Sequence, residues 1–307
     1  MRVFVTGGTG AIGVHAVPAL IAAGHQVSAL ARSESKAAAL RNQGATPVSV
    51  SLFDRKALTD AFAGHDAVIN LASSLPSTTM FIFKSAWREC QRVRSEGSAA
   101  VVDAALAAGV PQLIQESVVM IYADNGAEWI DEDHPVDRIP ISVGNHNAEA
   151  SARRFGESGW AATILRFGVF YGPHAAHSEQ IVAMARRHLG FMPGHPDTFM
   201  SSIYLTDAAG AVVAALKASP DTYNIVDDEP LTKHDYAAAV ADAVGVKNWL
   251  AVPGGLGLLL GDRTTSVTRS LRVSNARFRA AAHWQPRYPS AREGYLTMVR
   301  GPSQAIA

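Results

Sequence analysis

Thr6-Gly7-Gly8-Thr9-Gly10-Ala11-Ile12-Gly13 is the stretch on which the fold turns. The run before it, Arg2–Thr6 (RVFVT), is β-branched and aromatic and reads as a short strand. The run after it, Ile12–Ala23, has helical apolar spacing and stops at Gly24. Glycines at 7, 10 and 13 therefore form G-x-x-G-x-x-G between a strand and a helix. This differs by one residue from the commoner G-x-G-x-x-G, and the physical logic is shared. Glycine allows a tight turn, lets backbone approach a pyrophosphate, and packs the helix close to the sheet. The helix N-terminus then offers N–H groups and a positive dipole to phosphates. A purely structural turn is the competing reading. The strand before and the helix after favour a dinucleotide held by Gly7, Thr9, Gly10, Ala11, Ile12 and Gly13.

The alternation continues outward. Further strands are expected at Gln26–Ala31, Thr46–Val50, Ala67–Leu71, Gln112–Ser117 and Ala162–Phe167. Between them lie helical stretches at Glu34–Arg41, Arg55–Phe62, Trp87–Ala108 and Asn147–Phe155, several with glycine stops. Short apolar strands alternating with helices predict an α/β chain with a Rossmann-type doubly wound parallel sheet. After Gly172–Pro173 the pattern loosens. Helices near Glu179–Leu189, Asp207–Leu216 and His234–Val244, with strands near Met200–Tyr204 and Tyr223–Val226, predict a small C-terminal substrate lobe over the carboxyl edge of the sheet. The expected division is residues 1–172, plus part of the later chain, for the nucleotide domain, and 173–300 for most of the interleaved lobe.

The second strand ends near where an adenosine ribose would lie. An acidic residue there favours NAD. This chain has Arg32-Ser33 instead, 19 residues beyond Gly13. A guanidinium can grip a 2′-phosphate through paired hydrogen bonds, so NADP(H) is expected over NAD(H), with Arg32 and Ser33 at the phosphate. An Arg in an exposed turn is the alternative.

Bulk composition narrows the classes. Hydrophobic residues make up 48% and charged residues 18% of 307, as in a folded globular chain. Lys+Arg and Asp+Glu are equal at 27, so no global charge argues for nucleic acid or an anionic membrane as partner. Cys90 is the only cysteine. It can form neither an internal disulfide nor a cysteine zinc site, and it reads as a small buried side chain in a reducing compartment. No metal site is expected. The start reads straight into strand and glycine turn, without a signal-peptide pattern, and Leu250–Leu260 is too short to span a bilayer. A cytoplasmic protein acting on a small molecule is the expectation.

The motifs taken together resemble the extended short-chain dehydrogenases/reductases, the group with sugar-nucleotide epimerases and dehydratases. TGGTGAIG at Thr6–Gly13, Asp54 after the third strand, and NLAS at Asn70–Ser73 carry the first part. LRFGVFYGP at Leu165–Pro173, IYLTDAA at Ile203–Ala209, YNIVDDEPLT at Tyr223–Thr232 and HWQPRYPSAREG at His283–Gly294 extend it almost end to end. The resemblance implies that Asp54 meets the adenine, that Leu71 and Ala72 line the nicotinamide side, and that Asn70 stabilises the sheet. Asp54 also suits a cap on the helix Arg55–Phe62. Homodimerisation through helices of the fourth and fifth units is a further implication.

The chain departs from the family at its acid/base set. The resemblance implies Ser/Thr, Tyr and Lys, the last two as Y-x-x-x-K on the helix before the sixth strand, where Lys lowers the Tyr pKa. Counting back from Leu165-Arg166-Phe167 puts its ends at Val143 and Asn147. No lysine occurs between Lys84 and Lys217, and no tyrosine between Tyr122 and Tyr171. The upstream serine position falls on Val118, beside Ser117.

Other groups must then serve. Tyr122, just past the fifth strand, is the first candidate acid. Ser117 could hold a carbonyl oxygen. Glu116 is an unusual carboxylate in an apolar strand, where burial would raise its pKa, unless it is solvated or salt-bridged. His146 and Glu149 share a helix face, as reactive groups or as plain surface residues. Arg166, Tyr171 and His174 are candidate substrate contacts. Arg88, Arg92 and Arg94 form a local basic cluster, most simply a solvated helix face. Three functions follow: an NADP(H)-dependent oxidoreductase on a carbonyl or alcohol with a non-standard acid/base set; a non-redox isomerase, cyclase or lyase on the same scaffold; or an NADP(H)-sensing regulator without turnover.

Overall fold

The computed structural model describes residues 1–173, 175–190, 192–247, 250–251 and 264–301. His174 and most of Leu250–Leu260 lie outside them. The first half runs β1 (Arg2–Thr6), α1 (Gly13–Ala22), β2 (Gln26–Leu30), α2 (Glu34–Asn42), β3 (Thr46–Val48), α3 (Arg55–Phe62), β4 (Ala67–Asn70), α4 (Arg88–Arg92), α5 (Ser98–Ala107), β5 (Gln112–Val118), β6 (Trp129–Ile130), α6 (Val143–Glu157) and β7 (Ala161–Phe167). The second continues with β8 (Val169–Tyr171), α7 (Ala176–Ala185), β9 (Leu189–Gly190), β10 (Phe199–Met200), β11 (Ser202–Tyr204), α8 (Leu205–Ala215), β12 (Thr222–Ile225), β13 (Leu231–Thr232) and α9 (Lys233–Val244).

Seven strands form one parallel sheet in the order β12-β7-β5-β4-β1-β2-β3. Strand order reverses between β1 and β4, the crevice where doubly wound sheets bind ligands. Adjacent residues of β1 explain why the strands read as unbroken apolar runs. Val3 and Val5 pack into the layer shared by α1 and α8, whereas Phe4 packs into the layer shared by α3, α5 and α6. The glycines hold the turn closed. Gly7 has φ +72°, and a Cβ there would strike the Leu71 carbonyl; a Cβ on Gly13 would strike the Gly7 carbonyl oxygen.

Two elements differ from the sequence expectation. The strand expected at Tyr223–Val226 is not part of a separate lobe; as Thr222–Ile225 it pairs with β7 as an edge of the main sheet. The helix expected over Trp87–Ala108 is not continuous. A π-helical turn at Val93–Gly97 separates α4 from α5. Such single turns shift the register of a helix and occur often at functional sites. Here the shift buries Arg94, which is 3% exposed, so Arg94 is not on a solvated face. Arg92 is exposed, bonds Glu96, and lies over the Phe53 ring.

The later chain builds a second core from Tyr171, Tyr204, Tyr236 and Tyr295 between α7, α9 and a last helix, Ala291–Arg300. Asp227 is buried beside it. Its Oδ2 accepts a hydrogen bond from Ser202 Oγ at 3.0 Å, while Oδ1 has no hydrogen-bond partner. Burial pushes this carboxyl well above the ordinary aspartate value. A raised folded-state pKa costs stability as pH rises above the unfolded-state value near 4. Asp227→Asn is therefore expected to raise the melting temperature more at pH 7.5 than at pH 4. Thermal melts at both pH values check this, and a larger gain at pH 4 would contradict it.

Candidate active site

A single cavity of about 1050 Å³ runs from the glycine turn to the later lobe. This is just above the roughly 300–1,000 Å³ usual for ligand pockets. Its volume suits a dinucleotide with a second molecule.

At one end the lining residues are Thr6, Gly7, Thr9, Gly10, Ala11 and Ile12 from the turn, facing Leu71 and Ala72 across the crevice. Helix α1 starts here with no side-chain cap and no acidic residue in its first turn, so its dipole is left to a ligand. Arg32 and Lys36 line the same end. Partial burial and the Arg32 charge hold the Lys36 ammonium below its ordinary pKa. Two cations thus converge, and among the described residues neither has an ion-pair partner. Lys36 escaped the sequence reading; its four-residue spacing from Arg32 was the available signal. Gly13 packs behind the turn and does not line the cavity. Ser33 caps α2 by accepting from the Lys36 amide, and Asp54 caps α3 by accepting from the Ala57 amide at 3.0 Å. Neither lines the cavity, whereas Leu52 and Phe53 do.

Toward the middle the cavity meets a buried polar cluster. Arg94 Nη2 donates to Glu116 Oε1 at 2.7 Å, and Nη1 donates to Asn145 Oδ1 at 3.0 Å. All three residues line the cavity, and each is under 5% exposed. Glu116 Oε2, Arg94 Nε and Asn145 Nδ2 are buried with no hydrogen-bond partner. Burial pushes the Glu116 carboxyl above the usual carboxylate range, against the pull of Arg94. The guanidinium stays charged throughout. Val118, Ile141 and Trp87 form apolar wall around the cluster.

The other candidates lie elsewhere. Tyr122 is fully buried and does not line the cavity. Its hydroxyl donates to Asn224 Oδ1 and accepts from Arg166 Nη1, both at 2.8 Å, and burial pushes its pKa up to about 12. Ser117 Oγ donates to Glu149 Oε1 at 2.7 Å. Glu149 in turn is gripped in two places by Arg166, from Nε and Nη2, each at 2.8 Å. His146 Nε2 contacts the Asp137 carbonyl oxygen at 3.0 Å, and the Tyr171 hydroxyl donates to the Ser290 carbonyl at 3.0 Å. None of these residues reaches the cavity. They tie β5, α6 and β7 to the later chain. Val143 and Asn147 also miss the cavity: Val143 is 42% exposed, and Asn147 bonds Ser95. The residues four apart at this helix start that do line it are Ile141 and Asn145. The position offset by two residues explains why counting back from β7 overlooked Asn145.

A model of the NAD-dependent epimerase/dehydratase family matches residues 3–226. The chain belongs to this family. Among its relatives is a Streptomyces 3-diazoavenalumate denitrifying reductase, 31% identical, with 96% of this chain and 99% of that protein covered. A Stigmatella aurantiaca ketoreductase of a farnesyl dihydroquinoline-oxide substrate is 25% identical over 80% of this chain and 74% of its own length. The human epimerase family protein SDR39U1, solved with NADPH, superposes with a TM-score of 0.82 at 23% identity, covering 98% and 99% of the two chains. As a family member, this is an NAD(P)-dependent enzyme of the oxidoreductase or epimerase/dehydratase type. In this chain a cation near the middle of the cavity is Arg94 from the π turn, and α6 contributes Asn145.

Proposed function

We propose that the protein is an NADP(H)-dependent reductase of a largely apolar small molecule, with Glu116 as proton donor and Arg94 as its stabilising partner. The observation that carries this is the buried Arg94–Glu116–Asn145 cluster on the wall of the cavity that begins at the glycine turn. The reduced nicotinamide supplies the hydride. The chain's own part is to bind, orient and protonate. The Gly7–Ile12 turn and the N-terminus of α1 hold the pyrophosphate, Leu71 and Ala72 back the nicotinamide, and Arg32 with Lys36 grips the 2′-phosphate. Asn145 Nδ2 and Arg94 Nε, buried donors without a partner, are the groups to receive a substrate oxygen. Glu116, whose carboxyl burial pushes above the usual range against the pull of Arg94, gives its proton to that oxygen, and Arg94 stabilises the carboxylate that remains. The logic is that of a tyrosine and a lysine, with the proton on a carboxyl and the cation on a guanidinium.

Two relatives bear reductase names, which supports hydride transfer over a non-redox reaction or pure sensing. Incubating the protein with NADPH and a carbonyl panel while following reduced-nicotinamide absorbance is the test. Tight NADPH binding with no turnover on any carbonyl would overturn the reductase reading.

The cofactor preference has its own test. Charged hydrogen bonds contribute about 1.5–3 kcal/mol each. Arg32→Ala with Lys36→Ala is expected to weaken NADPH binding by about a hundredfold while leaving NADH within about threefold. Fluorescence titration reads both. Tighter NADH than NADPH binding by the unaltered protein would refute the preference.

A further inference from the structure

The far end of the cavity, in the later lobe, holds a buried charge that no carboxylate among the described residues pairs with. Lys233 is the first residue of α9 and is 2% exposed, yet it lines the cavity. Its Nζ donates to the Arg269 carbonyl oxygen at 3.1 Å. That is one acceptor for three N–H groups. Among the described residues no carboxylate pairs with it; Asp124 acts only at longer range. Burial lowers its pKa to about 8, so it carries its proton at neutral pH. Ser266, on the short helix Thr265–Thr268, lines the same cavity, is 4% exposed, and has an Oγ with no hydrogen-bond partner. The neighbouring guanidinium of Arg269 is already committed, to Asp137 Oδ2 at 2.6 Å and to the Tyr122 carbonyl oxygen.

A buried, unpaired ammonium is costly unless something pairs with it. Around it the lining is apolar, with Met192, Phe199 and Met200. We propose that Lys233 and Ser266 form a carboxylate subsite, and that the natural substrate is an elongated apolar carboxylic acid whose reacting group lies near Glu116 and whose acid end lies on Lys233. One ammonium and one hydroxyl match a single negative charge with two acceptor oxygens. A diphosphate carries more charge than this end can balance, because Arg269 is engaged elsewhere. The assignment rests on the reductase reading for its placement of the reacting end, but the subsite is testable without turnover.

The experiment is calorimetric titration of the NADP⁺-loaded protein with ω-phenylalkanoic acids of increasing chain length, their methyl esters, and UDP-glucose. The acid of best-fitting length is expected to bind about tenfold or more tightly than its ester. Lys233→Met should abolish that difference while leaving ester affinity unchanged, and Ser266→Ala should narrow it. NADPH affinity, measured on each variant, reports that the fold and the cofactor site are intact. Equal binding of acid and ester, discrimination that survives in Lys233→Met, no binding by any acid, or preference for UDP-glucose would each overturn the subsite. Loss of turnover with acid discrimination retained would instead overturn only the reductase reading.

Discussion

Glu149→Ala is expected to destabilise the protein by about 3–5 kcal/mol, a large share of the roughly 5–15 kcal/mol that holds a domain folded. Glu149 is 1% exposed, and both its oxygens are gripped by Arg166, itself 4% exposed. Removing the carboxylate leaves a buried guanidinium unpaired, and Ser117 loses its acceptor. Because Arg166 also donates to Tyr122, the damage spreads along the polar network to Asn224 on β12. Arg166 and Ser117 hold the Glu149 carboxyl below its ordinary pKa, against the effect of burial. A lowered folded-state value means that the stabilisation is complete above the unfolded value near 4.3 and is lost as pH falls through the folded-state value. Urea unfolding at pH 7 measures the loss. A change under 1 kcal/mol, or a variant deficit that grows as pH drops to 4, would contradict the account.

The same residues show what sequence could and could not convey. Main-chain demands were legible because they are local. A strand, three spaced glycines and a helix can be read in order, and Gly7 and Gly13 sit where a Cβ would strike backbone. The alternation of β1 to β5 with helices followed from period and glycine stops. The site was harder because it depends on which way side chains point. Glu116 and Ser117 are neighbours, yet Glu116 lines the cavity and Ser117 bonds Glu149 behind it. Tyr122 lies just past the strand end but turns into the network with Arg166. Arg94 reads as surface charge on any regular helix; only the π turn, which no sequence period announces, carries it inward. Lys233 gave no sign because its burial depends on packing against a segment that is distant in the chain, around Arg269.

Glu116→Gln is expected to lower kcat for reduction by about 10²–10⁴-fold, the usual worth of a positioned general acid. Glutamine keeps the shape and can still accept from Arg94 Nη2, so NADPH affinity and melting temperature should hold. What it lacks is a proton to give. The pH dependence separates this role from a structural one. Burial raises the Glu116 pKa, so the donor is loaded at low pH, and reduction by the unaltered enzyme declines as pH rises through the raised value. In Glu116→Gln that limb of the profile should vanish along with the rate. Arg94→Met should act through Glu116: removing the cation in contact with the carboxyl drives its pKa further up, moves the declining limb to higher pH, and slows the step because the carboxylate formed has lost its partner. Tyr122→Phe, in contrast, should leave the position of that limb unchanged, since its hydroxyl faces Asn224 and Arg166 and not the cavity. If Tyr122→Phe removes the limb while Glu116→Gln keeps it, the proton comes from the tyrosine, and the cavity wall has been assigned to the wrong acid.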